Sequence, residues 1–182
     1  MDKKVKYAII VLCAAAFLLA AVMGYDYLSA NYNNETPTEN SSSEKLKAPD
    51  FTVYDREGNP VNSSDFEGKP VVINFWATWC GYCVNEMPRF EKAFEEFGDE
   101  VVFMMINVTD GYKENKEDAV KFIEEKGYSF PVYYDEDLSA VMAYGTSSLP
   151  ATAFINAEGE VVYGRFGIMS EEKLYSYIEK IL

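Results

Sequence analysis

The chain has 182 residues, 48% of them hydrophobic and 15% aromatic. That is one domain's worth of core plus appendages, and it excludes global disorder. The formal net charge is −14, and the first 24 residues hold three lysines and one aspartate, so the remainder carries −16. Such a balance speaks against nucleic acid and anionic lipid heads as partners. Histidine is absent, which rules out Ser-His and Cys-His catalytic pairs and imidazole ligation of zinc or haem.

Residues 1–6 carry Lys3, Lys4 and Lys6, and residues 7–24 run without a charge. Eighteen helical residues rise about 27 Å, close to the roughly 30 Å hydrocarbon core of a bilayer. The lysines predict a cytoplasmic N-terminus and an extracytoplasmic remainder, with Tyr25 and Tyr27 at the far interface. A cleaved signal peptide competes with this, but the segment is long for one and no clear small-x-small site follows. Cys13 follows Leu12, where a lipidation signal needs a small residue, so it is expected as an apolar residue within the span. The organisation expected is a transmembrane anchor over 1–28, a flexible Asn/Ser/Thr/Glu-rich tether over 29–47 and a globular domain over 48–182.

The domain opens with a hairpin around Glu57-Gly58 and a short capped turn at Ser63-Ser64-Asp65-Phe66. An unbroken apolar run through Val71, Val72, Ile73, Asn74, Phe75 and Trp76 follows, suited to a strand buried on both faces. Trp79-Cys80-Gly81-Tyr82-Cys83 comes next and opens a helix. In that context a Cys-x-x-Cys is a redox dithiol. The free N–H groups and the macrodipole at a helix start stabilise a thiolate, the nucleophile of disulfide exchange.

At about 100° per residue, Met87, Phe90, Phe94 and Phe97 form one apolar stripe, with Cys83 near its middle. Cys80 falls roughly 60° to one side and Glu86 about 60° to the other. The wheel therefore predicts a sheltered Cys83, an exposed, attacking Cys80 and, in its plainest form, a solvated Glu86 on the helix flank.

Further on, the pattern predicts a buried strand over 101–108, a helix over 116–126 ended by Gly127, a short strand over 132–134 and a helix over 138–144. Alternating strands and helices imply parallel pairing with right-handed crossovers. Pro150 precedes an apolar run over 151–155 and must sit at a strand start or edge. A hairpin around 156–159 and a final helix capped by Ser170 complete the chain.

These features together resemble the thioredoxin superfamily and, within it, the membrane-tethered TlpA/ResA-like thiol–disulfide oxidoreductases. The resemblance rests on VVINFWATWCGYCVNEMP over 71–88 and on the opening hairpin, which thioredoxin proper lacks. It implies an α/β thioredoxin-like fold: a central mixed sheet flanked by helices, with an N-terminal β-hairpin and a strand–helix insertion, preceded by one transmembrane helix. Pro88 matches the proline that kinks the active-site helix. Asn74 stands where thioredoxin carries a buried aspartate, and Glu86 matches the acid that ResA-like members place beside the dithiol. Leu149-Pro150 aligns with the cis-proline loop that pairs with a substrate peptide, and Gly167 with the glycine on the groove's third side. Trp79 and Tyr82, flanking the cysteines, are the remaining candidate substrate contacts.

No Gly-rich phosphate loop and no metal-cage carboxylate cluster occurs in the sequence, so no cofactor and no metal is expected. The partners that the resemblance implies are proteins bearing disulfides or thiols, apocytochrome c among them, and a CcdA-type membrane electron donor. Within that class a reductant is favoured, since Gly81-Tyr82 brings no cation to the dithiol. A thiol oxidase or isomerase is the alternative. A peroxiredoxin-like peroxidase lacks its motif, because no proline occurs among residues 75–79, and a redox-inert adaptor leaves the intact cysteines unexplained.

Overall fold

In the computed structural model, β3 (Val71–Trp76) is buried along its whole length as an inner strand of a seven-stranded sheet. The structure describes residues 16–25 and 46–182. Of the expected anchor over 1–28, residues 16–25 are helical, and the rest, Cys13 included, lies outside the described residues. Among the described residues no helix is long and apolar enough to cross a membrane, so the expected transmembrane helix gains no support from the fold. Of the expected tether over 29–47, residues 29–45 lie outside the described residues, and the last two are paired with the domain. Lys47 bridges Glu160, and the Leu46 carbonyl accepts from Val161 N at 2.8 Å, because an otherwise open sheet edge offers them partners.

The remaining elements follow the sequence pattern closely. They are β1 (Thr52–Tyr54), β2 (Pro60–Asn62), α1 (Gly81–Phe97), β4 (Val102–Asn107), α2 (Lys116–Lys126), β5 (Val132–Tyr134), α3 (Ser139–Ala143), β6 (Ala151–Ile155), β7 (Val161–Phe166) and α4 (Glu171–Ile181). Local chemistry sets their ends. The Asn115 and Ser170 side chains accept from the N–H groups of Asp118 and Lys173, capping α2 and α4. Gly127 closes α2 at φ +70°, a conformation open to glycine at little cost.

The strand order is β2-β1-β5-β4-β3-β6-β7. β3, β4 and β5 run parallel, while β6 is antiparallel to β3 and β7, and β1 to β2 and β5. The sheet is therefore mixed, as the resemblance implies. Alternation along β3 splits the core in two. Val72 and Trp76 join Met87, Phe90, Leu174 and Ile178 beneath α1 and α4, whereas Val71, Ile73 and Phe75 join Phe51, Val53 and Ala140 on the other side. Asn74 has the same parity as Val72 and Trp76, so it faces the dithiol helix. The Phe75–Ala151 pairing brings Pro150 to the end of β3 from which residues 77–80 depart.

Candidate active site

Cys80 and Cys83 are joined as a disulfide with Cα atoms 5.2 Å apart. Cys80 is the N-cap of α1, with extended backbone (φ −84°, ψ 97°), and its Sγ accepts from Cys83 N at 3.2 Å. An unpaired N–H of the helix start thus already points at the sulfur that would carry negative charge. Cys83 is fully buried, as the wheel predicts. Cys80 is only 6% exposed, which corrects the expectation of an open thiol. A wheel assumes helical dihedrals, but an N-cap residue lies off the wheel and its side chain folds back over the first turn.

Glu86 overturns the flank reading more sharply. Its side chain is wholly buried. Oε1 accepts from Asn74 Nδ2 at 2.9 Å and Oε2 from Met169 N at 3.0 Å. Asn74 Nδ2 also donates to Thr152 Oγ1 at 3.1 Å, and Arg89 Nη1 donates to the Met169 carbonyl at 2.7 Å. Burial raises the Glu86 pKa above the ordinary carboxyl value of 4.5; the Met169 and Asn74 donors and the charges of Arg89 and Arg165 pull the other way. Periodicity could not find this because the covering groups come from β3, β6 and the residues before α4.

A second buried carboxylate holds the turn before the dithiol. Glu114 Oε1 accepts from Thr78 N at 2.9 Å and Asn107 Nδ2 at 2.7 Å, and Oε2 accepts from Thr78 Oγ1 at 2.7 Å. Thr109 Oγ1 in turn donates to Asn107 Oδ1 at 2.8 Å. The sequence pattern passes from the strand over 101–108 to the helix over 116–126 and so misses this clamp. The available signal was Asn107, a polar residue closing an otherwise apolar strand.

Of the other candidates Pro150 is buried, Leu149 and Gly167 are half-buried, and the two aromatic residues are open to solvent. Trp79 and Tyr82 are 52% and 70% exposed. The Lys113 ammonium lies over the Trp79 ring, 5.4 Å from its centroid. Leu149–Pro150 is a cis peptide bond, in line with the resemblance. Gly167, at φ +87°, donates its N–H to the Pro150 carbonyl at 2.7 Å, so these two loops are tied together. Pro150 directly precedes β6, but β6 is paired on both sides, which selects the strand start over the edge. Among the described residues no group of His, Cys, Asp and Glu is arranged to hold a metal ion.

Residues 45–164 match the AhpC/TSA family model. The thiol-disulfide oxidoreductase ResA of Bacillus subtilis (strain 168) is 34% identical over 165 residues, covering 90% of this chain and 88% of its own length. The chain belongs to the ResA family of thiol–disulfide oxidoreductases. Among solved structures, the pneumococcal exposed lipoprotein thioredoxin Etrx1 of Streptococcus pneumoniae superposes with a TM-score of 0.64 at 27% identity, over 72% of this chain and 98% of its own. A thiol:disulfide interchange protein of the thioredoxin family from Chlorobium tepidum shares the fold, with a TM-score of 0.68 at 22% identity over 78% and 99% of the two chains. For a ResA-family enzyme the chemistry on offer is dithiol–disulfide exchange between Cys80–Cys83 and protein thiols or disulfides.

Proposed function

We propose that this ResA-family enzyme is a protein disulfide reductase working outside the cytoplasm. The Cys80 thiolate attacks a substrate disulfide, forming a mixed disulfide and releasing one substrate thiolate. Cys83 gives up its proton with Glu86 as acceptor and attacks the Cys80 sulfur. The second substrate thiolate leaves, two electrons have passed to the substrate, and Cys80–Cys83 is left oxidised. Trp79, Tyr82, Leu149, Pro150 and Gly167 form the contact surface for the substrate chain.

One observation carries this reading: a disulfide whose outer sulfur caps α1 and whose inner sulfur is followed, one turn later, by a buried carboxylate. The direction is argued from charge. No histidine and no cation from Gly81-Tyr82 favours the Cys80 thiolate, and a Glu86 carboxylate opposes a second negative charge nearby. A thiolate that is not strongly stabilised makes the reduced form the better electron donor. The lysine-flanked apolar stretch over 7–24 supports a membrane anchor with the catalytic domain outside. The family resemblance supports apocytochrome cysteines as substrates before haem attachment, and electrons from a CcdA-type membrane partner.

A Cys83→Ser variant, expressed in its native membrane, should accumulate mixed disulfides through Cys80, and Cys80→Ser should accumulate none. A dithiol potential more oxidising than about −180 mV, the level of protein disulfide isomerase, would reverse the proposed direction. Protease added to intact cells should remove the globular domain; full protection would place it in the cytoplasm.

A further inference from the structure

β3 and β6 set Asn74 directly opposite Thr152, on the sheet face that α1 covers. Asn74 Nδ2 donates to both Glu86 Oε1 and Thr152 Oγ1, which occupies both amide hydrogens. Asn74 Oδ1, by contrast, is buried and has no hydrogen-bond partner. Such an orphan is rare in a core and calls for a physical reason.

The arrangement as it stands serves the ionised form of Glu86 best. Both carboxylate oxygens face N–H donors, one from Asn74 and one from Met169. A proton added to either oxygen needs an acceptor, and the partner already on that oxygen can only donate as it is now turned. Turned over about its Cβ–Cγ bond, the Asn74 amide would instead offer Oδ1 to a Glu86 O–H and to the Thr152 hydroxyl, which donates as readily as it accepts. The oxygen and NH2 group are nearly equal in size, so the turn needs no repacking. One end of the amide is unpaired in either orientation, which leaves the protonation state of Glu86 to decide between them.

We propose that Asn74 and Thr152 are positioning residues for proton exchange at Glu86: the Asn74 amide turns over as Glu86 gains or loses a proton, and the Thr152 hydroxyl reverses from acceptor to donor. This rests on Glu86 as the group that takes the Cys83 proton. In that transfer the S–H bond breaks and an O–H bond forms, while the electrons of disulfide exchange stay with the sulfurs. The other groups facing Glu86 are Arg89 on α1, Arg165 on β7, the Met169 N–H before α4, and Cys83 one turn back. Both guanidiniums keep their charge and the N–H can only donate. Asn74 and Thr152 are the members of this set able to serve both forms of the carboxyl. Burial raises the Glu86 pKa above the ordinary carboxyl value, the direction expected of a group that takes up a proton inside the fold.

The test is side-chain NMR on the full-length protein from about pH 4 to about pH 9, with the Glu86 carboxyl observed by 13C and the Asn74 NH2 group by 15N. The Asn74 signals should move with the Glu86 midpoint, and in Glu86→Gln they should be independent of pH. Asn74→Leu identifies the signals by their loss. It also removes a charge-assisted bond from the carboxylate but only a neutral one from the acid, so the limb that Glu86 contributes to the pH profile of disulfide exchange should rise by about one unit. Thr152→Ser, which keeps the hydroxyl, should preserve the coupled titration. Asn74 signals that stay fixed while Glu86 titrates overturn the relay and leave Glu86 as proton acceptor. A coupled Asn74–Glu86 titration that leaves the Cys83 thiol and the exchange rate unmoved keeps the relay and overturns the role of Glu86 in catalysis. A Glu86 carboxyl silent across the whole range overturns both.

Discussion

Two buried carboxylates flank the dithiol turn, and the fold treats them differently. Glu114 is met by three donors from Thr78 and Asn107, one of them a backbone N–H that can only donate, and Thr109 in turn fixes the sense of the Asn107 amide. Glu86 is met by two donors, one of them an amide whose other end is unpaired. The first arrangement suits a strut that holds the residues before Cys80 in place. The second suits a group that must exist in two protonation states. Burial by itself does not separate a structural carboxylate from a working one; the freedom of its partners does.

The comparison is broken most readily by removing the strut. Glu114→Ala leaves the Thr78 N–H and the Asn107 amide buried without acceptors, and unfolding should become easier by about 3 kcal/mol. Denaturant titration should show a lower midpoint at unchanged slope; a midpoint equal to wild type would mean that water replaces Glu114 at no cost.

Glu86→Gln should act through pH more than through size. Because the Glu86 pKa is raised in the folded protein, its contribution to stability is fully present below the unfolded value near 4.5 and is lost as pH rises through the folded value. The stability of Glu86→Gln relative to wild type should therefore climb from about pH 4 upward and level off above the folded pKa. A flat difference across that range would show that Glu86 carries no folding-linked titration. The smallest effect is expected at the rim, where Lys113→Ala removes an exposed cation–π contact with Trp79 worth about 0.5 kcal/mol. Stability should barely change, and the pH dependence assigned to Glu86 should stay intact; a moved pH profile would show that the two regions communicate.

The cysteine motif, its helix and the buried strand before it were legible because each is written locally. Apolar runs, cap residues such as Ser170 and Asn115, and the glycine ending α2 act within a few residues of where they stand. The cis-proline loop came from resemblance, since spacing alone allowed an ordinary turn. The wheel misplaces Cys80 in the open and Glu86 on a solvated flank for one shared reason, whereas the resemblance puts Glu86 beside the dithiol. A helical wheel gives the direction of a side chain relative to its own helix, and it is silent about what covers that direction.

What the sequence determined on its own was the alternation of β3, hence that Asn74 shares a face with Trp76, and the helix start that places a sulfur among free N–H groups. What only the tertiary structure decided was which distant groups meet there: Thr152 from β6 and Met169 before α4 closing over Glu86, and Glu114 reaching back to Thr78. Hydrogen bonds across such separations depend on how strands are ordered and helices are laid on them. The burial of the whole core sets that order, and no short stretch of residues encodes it.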